Sequence, residues 1–224
     1  MRLAVLGATG GIGGHLLDWA LAAGHDVQAL ARRPELLATR TGPPVPALGV
    51  GPGPGHLTVV QGDALDPAAV AEVVAGADAV LSALGPRGPR RARTPSLLAG
   101  AAAGLIGGMD RAGVRRLVTV SAAGAFIAGD PDMGWLIKAI LPRVLAAQFA
   151  DVRAMEAAIR ASDLDWTLVR ASRLTNRPGA GRYRVRADYP PAGGGKIARA
   201  DVAHFMALAV TQDAWPHAAP ALAY

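Results

Sequence analysis

Gly7, Gly10 and Gly13 stand three residues apart in RLAVLGATGGIGG, residues 2–14, and that spacing is the first sign of chemistry in the sequence. Each glycine has its own physical task. At position 7 it lets the chain leave an apolar strand in a sharp turn, where a side chain would clash. At position 10 it lets backbone approach a pyrophosphate, and at position 13 it lets a helix pack closely on the strand. A helix starting here aims its free N–H groups and positive dipole end at phosphates. The stretch therefore predicts a dinucleotide site, with a purely structural glycine turn as the alternative in a chain of 28 glycines.

A second group lies about 20 residues past the turn, where a carboxylate would hold the ribose 2′-hydroxyl of NAD. The sequence offers Arg32 and Arg33 there and no acid. A guanidinium in this place can clamp the 2′-phosphate of NADP through charge-assisted bonds. A solvated basic turn is the plainer reading of the same pair.

Ser121 closes the apolar run 115–121 and so stands at the carboxyl end of a strand, where ligands bind in doubly wound sheets. Asp63 follows another strand and either faces the adenine edge or caps the turn into 67–75. Backbone of Ser82, Ala83, Leu84 and Gly85 ends a third strand and can line the cofactor's central portion. The chain has no cysteine, which excludes disulfides, thiolate catalysis and zinc–thiolate sites, and no metal site is expected. Its three tyrosines, Tyr183, Tyr189 and Tyr224, include none followed by a lysine four positions later.

The elements that must position these residues alternate. Apolar runs at 2–6, 27–31, 57–61, 77–84, 115–121 and 165–170 read as strands. Helical spacing marks 12–23, 35–39, 67–75, 96–112 and 149–162, and Asp201 is expected to cap a last helix, 202–211. Residues 183–187 suit an edge strand and 221–224 a last short one. This alternation predicts an α/β fold, a mostly parallel doubly wound sheet with right-handed crossovers. Residues 41–56 carry five prolines and five glycines and suit an irregular excursion. Residues 86–95, with Arg87, Arg90, Arg91 and Arg93, suit a basic solvated loop unless an anion binds it. Residues 122–148 resist a simple reading, and their bulky Phe126, Trp135, Leu136, Ile137, Ile140 and Leu141 fit either a substrate cover or an oligomer contact.

Composition narrows the class. Half the residues are hydrophobic, 51%, which excludes a disordered chain. The net charge is +6, yet only 4% of residues are aromatic and no basic–aromatic stripe appears, so nucleic acid is not expected as a partner. No signal peptide is read at the start, neither 96–109 nor 133–150 is suited to span a bilayer, and a cytoplasmic protein without a membrane partner is expected.

Taken together, GATGGIG at 7–13, ALARRP at 29–34, VVQGDALD at 59–66 and VLSALG at 80–85 resemble the atypical short-chain dehydrogenase/reductases. RRLVTVSAAG at 115–124, MEAAIRASDLDWTLVR at 155–170 and ARADVAHFM at 198–206 extend the likeness, which is strongest to the NAD(P)H-binding, NmrA-like branch that includes the biliverdin reductase B/flavin reductase type. The resemblance implies a Rossmann-like sheet of order 3-2-1-4-5-6-7 in a single domain over 1–224, with 122–148 and 171–199 as a small substrate-covering region. It implies that Gly7, Thr9, Gly10, Gly11, Ile12, Gly13, Arg32, Arg33, Asp63, Ala64 and Gly85 surround NADP(H). Ser121 matches a serine beside the nicotinamide, with Ala122 next to it, and Ala171, Ser172 and Arg173 match a loop near the carboxamide. Ala123, Phe126, Trp135 and Arg173 are the candidate substrate contacts. Two features depart from the larger superfamily: the Tyr-x-x-x-Lys acid is missing, and Ala171 stands where relatives carry proline.

The expected function is hydride transfer from NADPH to a planar conjugated acceptor, whether flavin, quinone or tetrapyrrole-like. Stacking on the nicotinamide then supplies most of the catalysis, and the acceptor takes its proton from water. Ser121 is the candidate catalytic residue. Glu156 can stand near the cleft, although an i,i+4 pair with Arg160 is its plainer role. Arg173 and the 86–95 arginines can attract an anionic acceptor, and a monomer or weak homo-oligomer is expected. A non-catalytic NADP-binding regulator and an epimerase or dehydratase on the same scaffold remain the alternatives.

Overall fold

A computed structural model describes residues 1–38, 55–85 and 96–224. The first apolar run forms β1 (Arg2–Leu6), the glycine turn follows, and α1 (Gly11–Ala22) returns along the sheet to β2 (Asp26–Ala31). A short α2 (Glu35–Ala38) precedes β3 (Leu57–Gln61). Next come α3 (Pro67–Val74), β4 (Ala79–Ser82), α4 (Leu97–Ala112) and β5 (Arg116–Ala122). Residues β1, β4 and β5 are buried almost throughout, as strands covered by helices on both faces must be.

The difficult segment 122–148 resolves into a 3₁₀ helix (Ala123–Gly129), α5 (Trp135–Val144) and the first turn of α6 (Ala146–Arg160). Then follow β6 (Asp165–Ala171), β7 (Arg173–Thr175), β8 (Arg184–Ala187), β9 (Lys196–Ala198), α7 (Arg199–Thr211) and β10 (Pro220–Ala223). The main sheet has eight strands in the order β3-β2-β1-β4-β5-β6-β10-β8. The expected order holds through six strands, and β10 takes the seventh place, parallel to β6. β8 adds an antiparallel eighth strand, and β7 pairs with β9 in a separate two-stranded parallel sheet.

Helices α1 and α7 cover one face of the sheet, where Leu16, Leu17 and Ala20 meet Val202, Phe205 and Met206. The other face is covered by α3, α4 and α6, with Val70, Val73, Leu105, Met109, Met155 and Ile159 in its core. Local chemistry sets the ends. Asp66 caps α3 by accepting from the Ala68 N–H at 2.9 Å, with Pro67 in the first helical position. Asp201 does not cap α7, contrary to the reading of the sequence: the helix begins two residues earlier, at Arg199. Asp201 is instead buried, accepting from the N–H groups of Ala180 and Gly181 and from the Tyr224 hydroxyl. Among the described residues no helix is long and apolar enough to cross a membrane.

Candidate functional site

The carboxyl ends of β1, β4 and β5 open into a cavity of about 670 Å³, the position at which such sheets bind ligands. Its floor is the glycine turn. Gly7 has φ +82°, and a Cβ there would lie 2.6 Å from the Ala83 carbonyl oxygen, so the turn admits no side chain. The Gly10 N–H donates to the Gly7 carbonyl at 2.7 Å, and Gly10 stands at the N-cap of α1. Gly13 lies beneath, where a Cβ would overlap the Gly7 carbonyl; it shapes the turn without lining the cavity. Thr9, Gly10, Gly11 and Ile12 line it directly. The first turn of α1 carries no acidic residue, so nothing on the helix competes with an anion for its N–H groups.

One wall carries charge. Arg32 lines the cavity with its side chain half exposed, 3.9 Å from the Asp63 carboxylate, which also lines it. Asp63 accepts from the Leu65 N–H at 3.2 Å and so braces its own turn, while the capping task falls to Asp66. Arg33 is exposed and outside the lining. Ala64, Ala83, Leu84 and Gly85 complete this side, but Ser82 is buried and faces a small void shared with Thr119. Arg199, which nothing in local spacing marks, lies over the glycine turn: a Cβ on Gly11 would meet its Cδ at 2.5 Å, and its guanidinium donates to Asn176 Oδ1 at 2.6 Å. It was hidden because α7 starts almost 190 residues after the turn it covers.

The far end is apolar and has one serine. Leu98, Ala101, Phe149, Val152 and Met155 form the wall, and Ala122 adjoins Ser121 in the lining. Asp151 is also there, but both of its oxygens accept from the first N–H groups of α4, at Leu98 and Ala99. The Ser121 hydroxyl donates to Glu156 Oε1 at 2.5 Å, and Glu156 is 1% exposed. Arg170 grips the same carboxylate in bidentate fashion, Nε to Oε1 at 3.0 Å and Nη2 to Oε2 at 2.7 Å. The expected i,i+4 partner, Arg160, stands at 3.6 Å. The i,i+4 pair with Arg160 is thus the lesser contact: Glu156 stands beside the cleft at Ser121, and its main partner comes from β6.

Several expected contacts stand elsewhere. Phe126 does not line the cavity; its ring lies 3.6 Å beneath the Arg170 guanidinium. Trp135 is 78% exposed on α5, a helix that buries none of its residues. Ala123 is buried in the 3₁₀ helix, and Ala171 is buried in β6. The Ser172 hydroxyl is buried with no protein partner among the described residues. Arg173 points outward from β7, and by strand alternation its neighbour Leu174 is the residue that lines the cavity. The 86–95 arginines and most of the 41–56 stretch lie outside the described residues.

The cradle fits a dinucleotide phosphate group: backbone alone at the closest approach, a helix N-terminus above it, and two arginines flanking it. Comparison with known proteins agrees. A sequence model of an NAD(P)H-binding family matches residues 7–213. A Burkholderia pseudomallei protein, described as exported, is 26% identical and covers all of both chains with a TM-score of 0.73. A short-chain dehydrogenase/reductase of Veillonella parvula, solved in complex with NADP, shares the fold at 16% identity over 100% of this chain and 94% of that one, TM-score 0.76. ChuY, an anaerobilin reductase of Escherichia coli O157:H7, shares it at 23% identity over 100% and 97%, TM-score 0.72.

Proposed function

The chain belongs to the NAD(P)H-binding family, and from that premise we propose that it is an NADPH-dependent reductase of a planar conjugated acceptor, a flavin, quinone or tetrapyrrole-like ring. The observation that carries this reading is the continuity of one cavity from the Arg32 side chain, across the N-terminus of α1, to Ser121 and an apolar wall. Along it Arg32 would hold a 2′-phosphate, the glycine turn and Arg199 would hold the pyrophosphate, and Ser121 would adjoin the nicotinamide. When bound, the cofactor supplies the hydride.

The residues of this chain then bind, orient and exclude water. Leu98, Phe149, Val152 and Met155 offer an apolar wall against which a conjugated ring can pack beside the nicotinamide. Ser121 fixes its in-plane orientation. Ala147 and Gln148 from one segment and Leu174 and Arg199 from another also line the cavity, which supports reading 122–148 and 171–199 as its cover. No tyrosine, lysine or histidine lines the cavity among the described residues, which suits an acceptor that takes its proton from water. ChuY, an anaerobilin reductase, offers a parallel on the same fold.

The test follows NADPH absorbance with riboflavin, FMN, a quinone and biliverdin in turn. Turnover with at least one is expected, and Phe149→Ala should raise KM for that acceptor more than for NADPH. Tight NADP(H) binding without turnover of any acceptor would overturn the reductase reading.

A further inference from the structure

The Ser121 hydroxyl has one proton, and its direction decides what the cavity can recognise. That proton is taken by Glu156 at 2.5 Å. Glu156 cannot return it, because as the bidentate partner of Arg170 it is a carboxylate, which only accepts. Arg170 is in turn held in place. Its remaining Nη1 donates to the Asp188 carbonyl at 2.7 Å, and its flat face rests on Phe126. All three side chains are buried: Ser121 5%, Glu156 1% and Arg170 5% exposed. Donors thus reach the Glu156 carboxylate from Arg170 on one side and from Ser121 on the other.

We propose that Glu156 is a positioning residue that turns Ser121 into a hydrogen-bond acceptor facing the cavity, so that the site selects a planar acceptor presenting a ring N–H. This rests on the reading of the Ser121 end as the acceptor site. An imide N–H, as in an isoalloxazine ring, or a pyrrole N–H satisfies the serine lone pairs. A quinone, whose ring presents only carbonyl oxygens, faces them with like partial charge. The preference comes from the penalty of leaving a buried acceptor unpaired.

The experiment uses binding rather than turnover, so that failure of the reductase reading leaves it intact. Lumiflavin and 3-methyllumiflavin, which differ by the ring N–H alone, are titrated by fluorescence quenching against protein saturated with NADP. The wild type should bind lumiflavin at least about tenfold more tightly than the methylated ring. Ser121→Thr should keep that preference, and Ser121→Ala should abolish it. Glu156→Gln puts an amide N–H₂ in place of one carboxylate oxygen; in the orientation that sets this donor against the serine the hydroxyl proton turns toward the cavity, so the preference should shrink. Thermal unfolding checks that each variant is folded; if Glu156→Gln does not fold, the two serine variants decide. Equal binding of both rings by the wild type, binding of neither, or a preference that survives Ser121→Ala overturns the proposal. So does a loss of NADP affinity in Ser121→Ala with the flavin preference unchanged, since the serine would then serve the cofactor.

Discussion

Arg32 and Asp63 form an ion pair in the cavity wall on which the choice between NADPH and NADH can be tested. Their 3.9 Å ion pair is half exposed on both sides, so it is worth little in itself and leaves the guanidinium open to a stronger partner. A phosphate oxygen offers that partner through charge-assisted bonds, each worth about 1.5–3 kcal/mol. Arg32→Glu should therefore weaken NADPH by roughly 10- to 100-fold and NADH by much less, measured by cofactor fluorescence titration. Equal weakening of both would show that Arg32 does not read the 2′-phosphate. Such residues were legible in the sequence because their meaning is local: the glycine spacing and the strand end before Arg32 lie within one βαβ unit. Glu156 and Arg199 were not, because each takes its meaning from a partner on another element. The pairing of Glu156 with Arg170 depends on α6 lying across β6, and no spacing rule gives that.

At the scale of elements, α4 shows why a helix rich in small residues is tolerated. Gly104 packs against the connection after β3, where a Cβ would overlap the Ala64 carbonyl, and Ala64 lines the cavity. One turn later Gly107 faces Pro67, and a Cβ there would sit at an ordinary 3.5 Å. The same substitution should therefore have opposite signs three residues apart. Gly107→Ala should stabilise by about 0.5–1 kcal/mol through helix propensity alone. Gly104→Ala should cost about 1–3 kcal/mol, because backbone must shift to admit the methyl group. Chemical denaturation of the two variants measures both, and a cost at Gly107 or a gain at Gly104 would refute the packing argument. The sequence disclosed α4 and the six consecutive parallel strands, since burial on both faces gives β1 and β4 unbroken apolar runs and the edge strand β3 still carries Leu57, Val59 and Val60. It concealed the course of 122–148, where Trp135, Leu136, Ile137 and Ile140 of α5 are exposed and periodicity no longer reports a core.

At the scale of the whole molecule, β10 enters the sheet between β6 and β8, and side chains stitch it and the neighbouring loops to α7. The Tyr224 hydroxyl donates to Asp201 at 2.5 Å and accepts from the Ala198 N–H, and the Tyr183 hydroxyl meets His204 Nδ1 at 2.8 Å. Burial, with a contribution from Asp201, raises both tyrosines above their ordinary values. Burial also lowers His204, outweighing the opposite pull of Asp201. The signs follow from linkage. A tyrosine raised in the fold contributes stability that is complete below its unfolded value of about 10 and is lost as pH rises through the folded one. A histidine lowered in the fold contributes stability that is complete above about 6.5 and is lost as pH falls through its folded value. This seam should therefore hold a plateau of thermal stability between roughly pH 6.5 and 10, falling on both sides. Tyr224→Phe removes the bond to Asp201 and should lower the plateau by about 1–2 kcal/mol while making the alkaline fall shallower. His204→Gln should flatten the acid side in part, since His25 is also lowered by burial and by the N-terminal charge and will still titrate. Melting curves from pH 5 to 11 on the three proteins test this. Parallel profiles for wild type and Tyr224→Phe above pH 10 would show that the hydroxyl is not linked to folding, and that the sheet alone holds β10 in place.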